Sequence, residues 1–206
     1  MLTIYGRANS INVRKVLWLC EDLGLAFERH DYGRGYQDTN TPEFLKLNPN
    51  ALVPTIVDGD TVVWESNTIM RYLAAKHGPA ELYPADIVAR ALVDQWMDWQ
   101  LATLQPAMAA MFHGQWLKNP DFSEAQIAAS KERTAKLFEI LNGQLEKTGA
   151  YVAGPDCTIA DMAVGPAVHR WFTLAPELPR PAAVDAYYDR IAERPGCQKY
   201  VRIDIP

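Results

Sequence analysis

The fold of this chain is decided by residues 53–66, which read VPTIVDGDTVVWES. Two runs rich in β-branched residues, 53–57 and 61–64, flank Asp58-Gly59-Asp60, and this arrangement is a strong signal for a β-hairpin. Pro54 has no N–H to donate to a sheet, so it belongs at a strand start or at a bulge. The stretch therefore predicts two antiparallel strands, the first of which begins next to a proline.

The segments on either side of the hairpin alternate between helix and strand signals. Downstream, Ser66 to His77 carries apolar residues on one helical face and stops at Gly78-Pro79. Upstream, we expect strands at residues 2–5 and 27–32 and helices at residues 13–23 and 42–48. The resulting order, β-α-β-α-β-β-α, is typical of a thioredoxin-like domain.

After about residue 86 the alternation stops and the sequence reads as helix. The predicted fold class is therefore α+β, with a thioredoxin-like N-terminal domain at residues 1–78, a linker at 79–85 and an all-α helical bundle at 86–206. Within the bundle we expect helices from about Asp86 to Trp116, with a kink at Pro106, from Ser123 to Lys147, and from Ala182 to Arg194. Thr158-Ile159-Ala160-Asp161 has the pattern of a capping box, which predicts that a buried apolar helix begins there.

Composition and charge argue against several classes of partner. The 206 residues are 49% hydrophobic and carry a net charge of −5 without a basic stripe, so nucleic acid is not expected to bind. The apolar run at the N-terminus is broken by Gly6 and Arg7, and no apolar stretch is long enough to span a bilayer. We therefore expect no membrane association and a cytoplasmic location.

The residues that commonly ligate metals show no suitable pattern. Cys20, Cys157 and Cys197 fit neither a disulfide framework nor a metal site, so we expect reduced, mostly buried thiols. The four histidines lack ligand spacing, and there is no Gly-rich phosphate loop. Neither a metal nor a nucleotide is expected.

Three short motifs of the first domain point to one known family. They are Ser10-Ile11-Asn12-Val13-Arg14, Leu52-Val53-Pro54 and Trp64-Glu65-Ser66-Asn67. With the helical second domain and its capping box, they closely resemble the cytosolic glutathione S-transferase family, over essentially the whole chain. The resemblance is to the serine-type members, theta- or delta-like and bacterial. It implies an enzyme that conjugates glutathione, as co-substrate, to small hydrophobic electrophiles.

Ser10 is the candidate catalytic residue. It lies between the first strand and the first helix, where its hydroxyl and the free amides of the helix N-terminus can both stabilise an anionic sulfur. A free thiol with a pKa of about 8.5 is only a few per cent ionised at neutral pH, and the thiolate is the nucleophile. Serine-type members carry their activating hydroxyl four residues before an arginine, here Arg14, and Asn9 and Asn12 would add amide donors. Two alternatives stay open: Ser10 only caps the helix, or Tyr5 supplies the hydroxyl.

Four further residues are candidates for binding glutathione. The resemblance implies a cis peptide before Pro54, with the Val53 backbone pairing antiparallel to the cysteinyl part. Ser66 and its amide would bind the γ-glutamyl carboxylate, and Glu65 would face the ammonium group. The alternative is that Glu65 and Ser66 are only helix-capping residues.

One position departs from the family pattern. Ala51 and Leu52 stand where several relatives place a His or Arg that contacts the glycyl carboxylate. In this chain the candidates for that contact are Arg34, Gln37, Lys46 and Asn50.

The electrophile pocket has no fixed motif, because an apolar cleft is shaped by many side chains. Met108, Phe112 and Trp116 lie at four-residue steps along one predicted helix face, and Arg7 to Asn9 would line the opposite wall. Apolar stripes at this spacing are more often part of a core.

Three functions stay open on this fold. Conjugation of electrophiles is the leading interpretation. Glutathione-dependent reduction or isomerisation would use the same site, and a noncatalytic ligand-binding role is never excluded by a fold. The resemblance also implies a homodimer.

Overall fold

The computed structural model describes residues 1–204 and begins with a four-stranded mixed sheet. The elements of this first part are β1 (Leu2–Tyr5), α1 (Ile11–Asp22), β2 (Phe27–His30), α2 (Pro42–Leu47), β3 (Thr55–Asp58), β4 (Thr61–Trp64) and α3 (Ser66–His77). The strand order is β2-β1-β3-β4, with β1 parallel to β2 and antiparallel to β3, and β3 antiparallel to β4. The predicted element order and thioredoxin-like sheet are confirmed.

Two strand boundaries differ from the predictions. In the hairpin, Thr55 pairs with Trp64, and β3 starts at Thr55 because Pro54 has no N–H for the ladder. The strand predicted over residues 27–32 ends at His30, and Tyr32 forms only an isolated bridge.

The rest of the described chain is helical, with α4 (Ile87–Trp99), α5 (Gln105–Ala107), α6 (Glu124–Thr148), α7 (Ile159–Leu174), α8 (Ala182–Ile191) and α9 (Pro195–Tyr200). The helix predicted from Asp86 to Trp116 is interrupted by two π-helical segments, Gln100–Leu104 and Met111–Trp116. Pro106 follows the first segment closely, and a residue without an N–H disturbs regular α-helical bonding.

The C-terminal end of the predicted bundle also differs from expectation. The helix predicted from Ala182 to Arg194 ends at Ile191, and Pro195 then opens α9, since the first helical turn needs no N–H from that residue. Residues 205–206 of the predicted helical domain lie outside the described residues. From residue 1 to residue 204, no helix is long and apolar enough to cross a membrane.

Close packing joins α1 to the helical part. Trp18 of α1 is fully buried, and a Cβ added at Gly196 would lie 2.5 Å from the Trp18 carbonyl oxygen. Gly165 of α7 is similarly close, since its Cβ would lie 2.9 Å from the Trp18 ring. Asp22 accepts hydrogen bonds from Trp18 Nε1 at 2.8 Å and from Arg194 Nε at 2.6 Å. These contacts fix the helical bundle against α1 and so define the space at the other end of α1.

The capping box predicted at Thr158 is confirmed. The Thr158 hydroxyl accepts from Ala160 N at 3.2 Å, and Asp161 Oδ2 accepts from Thr158 N at 2.8 Å. Asp161 Oδ1 also accepts from Val152 N at 3.0 Å. Burial is the main reason why the pKa of Asp161 is raised to about 6. The carboxylate thus anchors both the start of α7 and the preceding loop.

Candidate active site

A cleft of about 320 Å³ opens at the N-terminal end of α1, between the sheet and the helical bundle. Its polar lining consists of Arg7, Asn9, Ser10, Gln105, His113 and Arg170. Its apolar lining consists of Ile11, Leu101, Pro106, Ala109 and Phe112. Both parts of the chain therefore contribute to one concave site, the usual setting for a small-molecule pocket.

Ser10 is the N-cap residue of α1, with an extended backbone at φ −91° and ψ 126°. Its carbonyl oxygen accepts the first helical hydrogen bond from Arg14 N at 2.9 Å. Its side chain makes no capping hydrogen bond to the helix. Ser10 therefore lines the cleft, and its hydroxyl is not engaged by the helix that it starts.

The other N-cap residues with a Ser, Thr or Asp side chain behave differently. Among the helices of residues 1–204, Thr41, Asp86, Ser123 and Thr158 each accept a capping bond from a backbone N–H, at 2.9 to 3.3 Å. Ser10 is the exception in this group. The alternative that Ser10 serves only as a cap therefore lacks the hydrogen bond on which it depends.

Tyr5, the other candidate hydroxyl, points into an aromatic cluster. Its ring centre lies 5.4 Å from that of His30, 5.6 Å from that of Tyr32 and 6.3 Å from that of Phe44. Tyr5 is not among the residues that line the cleft. The geometry therefore favours Ser10 over Tyr5.

Asn12 lies in the first turn of α1, two residues after Ser10. Its side chain is half-buried, and Oδ1 is a buried atom that has no hydrogen-bond partner in the described part of the chain. A buried polar atom of this kind is uncommon and is often completed by a ligand or water.

The loop before β3 is shaped by Asn48. Its side-chain Nδ2 donates to Leu52 O at 2.9 Å and to Thr55 Oγ1 at 3.1 Å. The peptide between Val53 and Pro54 is cis, as the family resemblance implies. A Cβ added at Gly6 would lie 3.4 Å from Val53 Cβ, so Val53 packs beside the loop that leads to Ser10.

Glu65 and Ser66 lie where β4 passes into α3. Glu65 is exposed, is the N-cap residue of α3 and makes no side-chain capping bond, whereas Ser66 is buried in the first turn. The Glu65 backbone has φ 71° and ψ 116°, a conformation that residues other than glycine rarely adopt. Such outliers cluster at ligand-binding sites, because folding alone gives no reason to retain them.

The candidates for the glycyl carboxylate lie near the surface. Arg34, Gln37 and Lys46 are exposed. The Asn50 side chain donates to Asn48 Oδ1 at 3.1 Å and so takes part in the loop that Asn48 organises.

Two predicted pocket residues are not brought to the cleft. Phe112 and Asn9 line it as expected, but Met108 is only 2% exposed and belongs to the core. Trp116 is 42% exposed and is not among the lining residues. The four-residue spacing assumes one continuous α-helix, whereas α5 ends at Ala107 and Met111–Trp116 is π-helical.

Positive charge gathers around the cleft. The Arg170 guanidinium lies 3.9 Å from the centre of the Phe112 ring. Its pKa is lowered to about 9 by burial and by the charges of Arg14 and Arg7. Burial and then repulsion from Arg34 lower the pKa of Arg7 in the same way. The sequence reasoning missed Arg170, although a charged residue within the otherwise apolar and buried α7 was an available signal.

A second polar contact, also missed from sequence, joins α1 to the first π-helical segment. Lys15 is fully buried, and its Nζ donates to Gln100 Oε1 at 2.7 Å and to Asn67 Oδ1 at 3.4 Å. Gln100 Nε2 donates to Gln105 Oε1 at 3.0 Å, and Gln105 lines the cleft. Burial lowers the pKa of Lys15 to about 7, with a further lowering by Arg170.

A cavity of about 370 Å³ on another face is a weaker candidate. Its lining includes Asp22, Arg194 and Cys157, but the two charged groups already form an ion pair at 2.6 Å. Burial raises the pKa of the Cys157 thiol, so it is a poor nucleophile.

The other two cysteines are no more reactive. Cys20 and Cys197 are free and buried, and burial raises the pKa of each to about 12. Residues 1–204 also contain no group of three or more His, Cys, Asp or Glu that could hold a metal ion.

Comparisons with known proteins agree with this geometry. The family model "Glutathione S-transferase, N-terminal domain" matches residues 1–75, and the model "Glutathione S-transferase, C-terminal domain" matches residues 92–195. The chain belongs to the glutathione S-transferase family. It is 35% identical, over the full length of both chains, to glutathione S-transferase GstB of Escherichia coli K12.

Solved structures of the family show the same architecture. The theta-class glutathione S-transferase of Xanthomonas axonopodis pv. citri, with glutathione bound, is 36% identical, with a TM-score of 0.92 over 100% of this chain and 99% of that one. A delta-class enzyme of Nilaparvata lugens is 29% identical, with a TM-score of 0.84 over 97% and 92% of the two chains. The chain is therefore a glutathione S-transferase of the cytosolic type, with the thioredoxin-like and helical domains of that family.

Proposed function

We propose that Ser10 activates the thiol of glutathione and that the thiolate attacks small hydrophobic electrophiles held in the adjacent cleft. The observation that carries this proposal is the position of Ser10, which precedes α1, lines the cleft and makes no side-chain capping bond. One hydrogen bond and part of a helix dipole are sufficient to lower a thiol pKa by one or two units, since each unit corresponds to about 1.4 kcal/mol. At neutral pH this change converts a minor thiolate population into a substantial one.

Glutathione would extend from Ser10 toward the start of α3. Its γ-glutamyl carboxylate would bind Ser66 and the free amides of α3, with Glu65 facing the ammonium group. Its cysteinyl part would pair with the Val53 backbone next to Pro54, and Asn12 would add a side-chain contact. The unusual backbone of Glu65 and the unpartnered Oδ1 of Asn12 support these roles, as does the glutathione bound to the Xanthomonas relative.

The electrophile would occupy the other side of the cleft. Phe112, Leu101 and Pro106 provide apolar lining, and Asn9 would line the opposite wall. This assignment replaces Met108 and Trp116, which do not line the cleft. The glycyl carboxylate of glutathione would be held by Arg34, whose charge acts on Arg7 at the edge of the site.

We also propose a homodimer, and a division into residues 1–78, a linker at 79–85 and residues 86–206. Exposed apolar side chains support an association: they are Val62 and Trp64 on the edge strand β4, and Ile87, Val88 and Leu92 on α4. Sedimentation should give twice the monomer mass. A cytoplasmic location is proposed because three free thiols fit a reducing compartment.

The direct test is a calorimetric titration with glutathione, run beside conjugation of a generic aryl halide by the wild type and by Ser10→Ala. We expect binding in both proteins and conjugation that collapses in the variant. Binding with little conjugation, unchanged by the substitution, would favour glutathione-dependent reduction or isomerisation, or noncatalytic ligand binding. Absence of binding would contradict the proposal at its first step.

A further inference from the structure

The cleft beside Ser10 is basic rather than neutral. Arg7 and Arg170 line it together with His113, and no Asp or Glu is among its lining residues in the described part of the chain. Arg14 and Arg34 are near enough for their charges to act on Arg170 and Arg7, respectively. A purely hydrophobic electrophile would make no use of this charge.

Arg7 has an unsatisfied donor at this site. Its Nη1 is a buried atom with no hydrogen-bond partner among residues 1–204. Buried N–H groups normally have an acceptor, because leaving one unpaired costs free energy. An anionic oxygen bound by the part of Arg7 that lines the cleft would offset the repulsion between the neighbouring guanidinium groups.

Arg170 is the second arginine that lines the cleft. Its guanidinium stacks on Phe112 at 3.9 Å, so a planar cation and an aromatic face form one continuous wall of the cleft. Arginine binds carboxylates through paired N–H groups, and the ring offers an apolar surface beside them. The wall therefore matches a ligand that has an apolar ring and an acidic substituent.

We propose that the electrophile of this enzyme carries a carboxylate, which Arg7 and Arg170 bind while the reacting carbon faces the sulfur near Ser10. This inference rests on the function proposed above and narrows its substrate class. In the reaction with an aryl halide, the thiolate sulfur forms a bond to the ring carbon and chloride leaves with the electron pair. The carboxylate is unchanged and serves only to orient the ring.

The test compares two matched electrophiles, a chloronitrobenzoate and the corresponding chloronitrobenzamide, which differ in charge but hardly in shape. Each kcat/KM is divided by the rate constant of the uncatalysed reaction with glutathione. We expect the wild type to prefer the benzoate about tenfold, and Arg7→Gln and Arg170→Gln each to lower that preference about tenfold. Arg7→Lys should retain most of the preference, because it keeps the charge.

The matched control is Arg133→Gln, which removes the same charge from an exposed position of α6 and should leave the preference unchanged. Circular dichroism and thermal unfolding identify any variant that does not fold. Because Arg170 is buried, the decision rests on the pair Arg7→Gln and Arg7→Lys.

Three results would overturn the inference. Equal normalised kcat/KM for both compounds, with no change in Arg7→Gln, would exclude the inference that the electrophile carries a carboxylate. The proposed function would still stand. Weaker glutathione binding in Arg7→Gln by calorimetry, with an unchanged preference, would assign the arginine to a carboxylate of glutathione itself. No turnover of either compound would contradict the proposed function and this inference together.

Discussion

Two helix starts of the helical domain and two of the thioredoxin-like domain are completed in different ways. In the helical domain, Ser123 and Thr158 take part in capping boxes and bond to their own helices. In the thioredoxin-like domain, Ser10 and Glu65 occupy the same N-cap position and make no side-chain capping bond. An N-cap side chain thus stabilises the fold where its own helix uses it, and is available to a ligand where the helix does not.

At Ser123 and Thr158, the residue three positions after the cap also takes part. Thr158 is followed by Asp161 and Ser123 by Gln126, and both of these side chains reach back to the cap. Ser10 is followed by Val13, a buried residue with no group to reciprocate. A reciprocal partner adds a second hydrogen bond to the cap, although Thr41 and Asp86 accept their capping bonds without one.

The largest expected effect is on the stability of the start of α7, where the Thr158 side chain bonds to its own helix. Asp161→Ala leaves Thr158 N and Val152 N without acceptors in a buried region, so we expect a loss of about 3 kcal/mol in the free energy of unfolding. Urea denaturation at neutral pH measures it. Asp161→Asn, which keeps one acceptor oxygen, should lose less, and equal losses in both variants would contradict this explanation.

The next effect distinguishes the proposed catalytic role of Ser10 from the capping role of Thr158. Ser10→Ala should lower kcat/KM for conjugation about 10- to 100-fold, because the thiolate loses its hydroxyl donor. Its unfolding free energy should change by less than about 0.5 kcal/mol, since no capping bond is lost.

Thr158→Ala is the matched control for that experiment. It should cost about 1 kcal/mol of stability through the lost cap and leave kcat/KM close to the wild-type value. If Ser10→Ala were the more destabilising of the two, the distinction between N-cap side chains that bond to their own helix and those that do not would be contradicted.

A smaller change is expected at Glu65, the other N-cap residue that makes no side-chain capping bond. Glu65→Gln removes the charge that faces the ammonium group, so the Michaelis constant for glutathione should rise about tenfold. Glutamine retains the size of the side chain, and stability should be nearly unaffected because Glu65 is exposed and caps nothing. An unchanged Michaelis constant would exclude Glu65 from the glutathione site.

The last effect is on the pH dependence of stability, and it concerns Lys15, which follows Ser10 in α1. Its pKa is lowered to about 7, so above that pH the unfolded chain binds more protons than the folded one. The stability conferred at this position therefore rises as the pH increases above about 7. Comparing the pH dependence of urea unfolding for the wild type and Lys15→Met isolates this contribution, and parallel curves would contradict it.

The sequence predicted those features that depend on a few neighbouring residues. The hairpin turn at Gly59 and the capping box at Thr158 each have a local signature, and both are confirmed. The cis peptide before Pro54, which the family resemblance implies, is also confirmed. The same kind of local signature selected Ser10 and Glu65, which the structure leaves without capping bonds.

The far wall of the cleft had no such signature. The π-helical segments altered the faces on which Met108 and Trp116 were expected, because the spacing argument assumed a uniform α-helix. Arg7 and Arg170 are far apart in sequence and meet only because α7 packs against α1. Contacts of this kind depend on tertiary packing and cannot be inferred from spacing along one element.

The central claim is that Ser10 stabilises the thiolate of glutathione. It is tested most directly by titrating the thiolate absorbance of enzyme-bound glutathione in the wild type and in Ser10→Ala. We predict that the bound thiol of the wild type has a pKa one or two units below the value of about 8.5 for a free thiol, and that this pKa returns close to 8.5 in the variant. An equally low pKa in a folded Ser10→Ala that still binds glutathione would contradict the account.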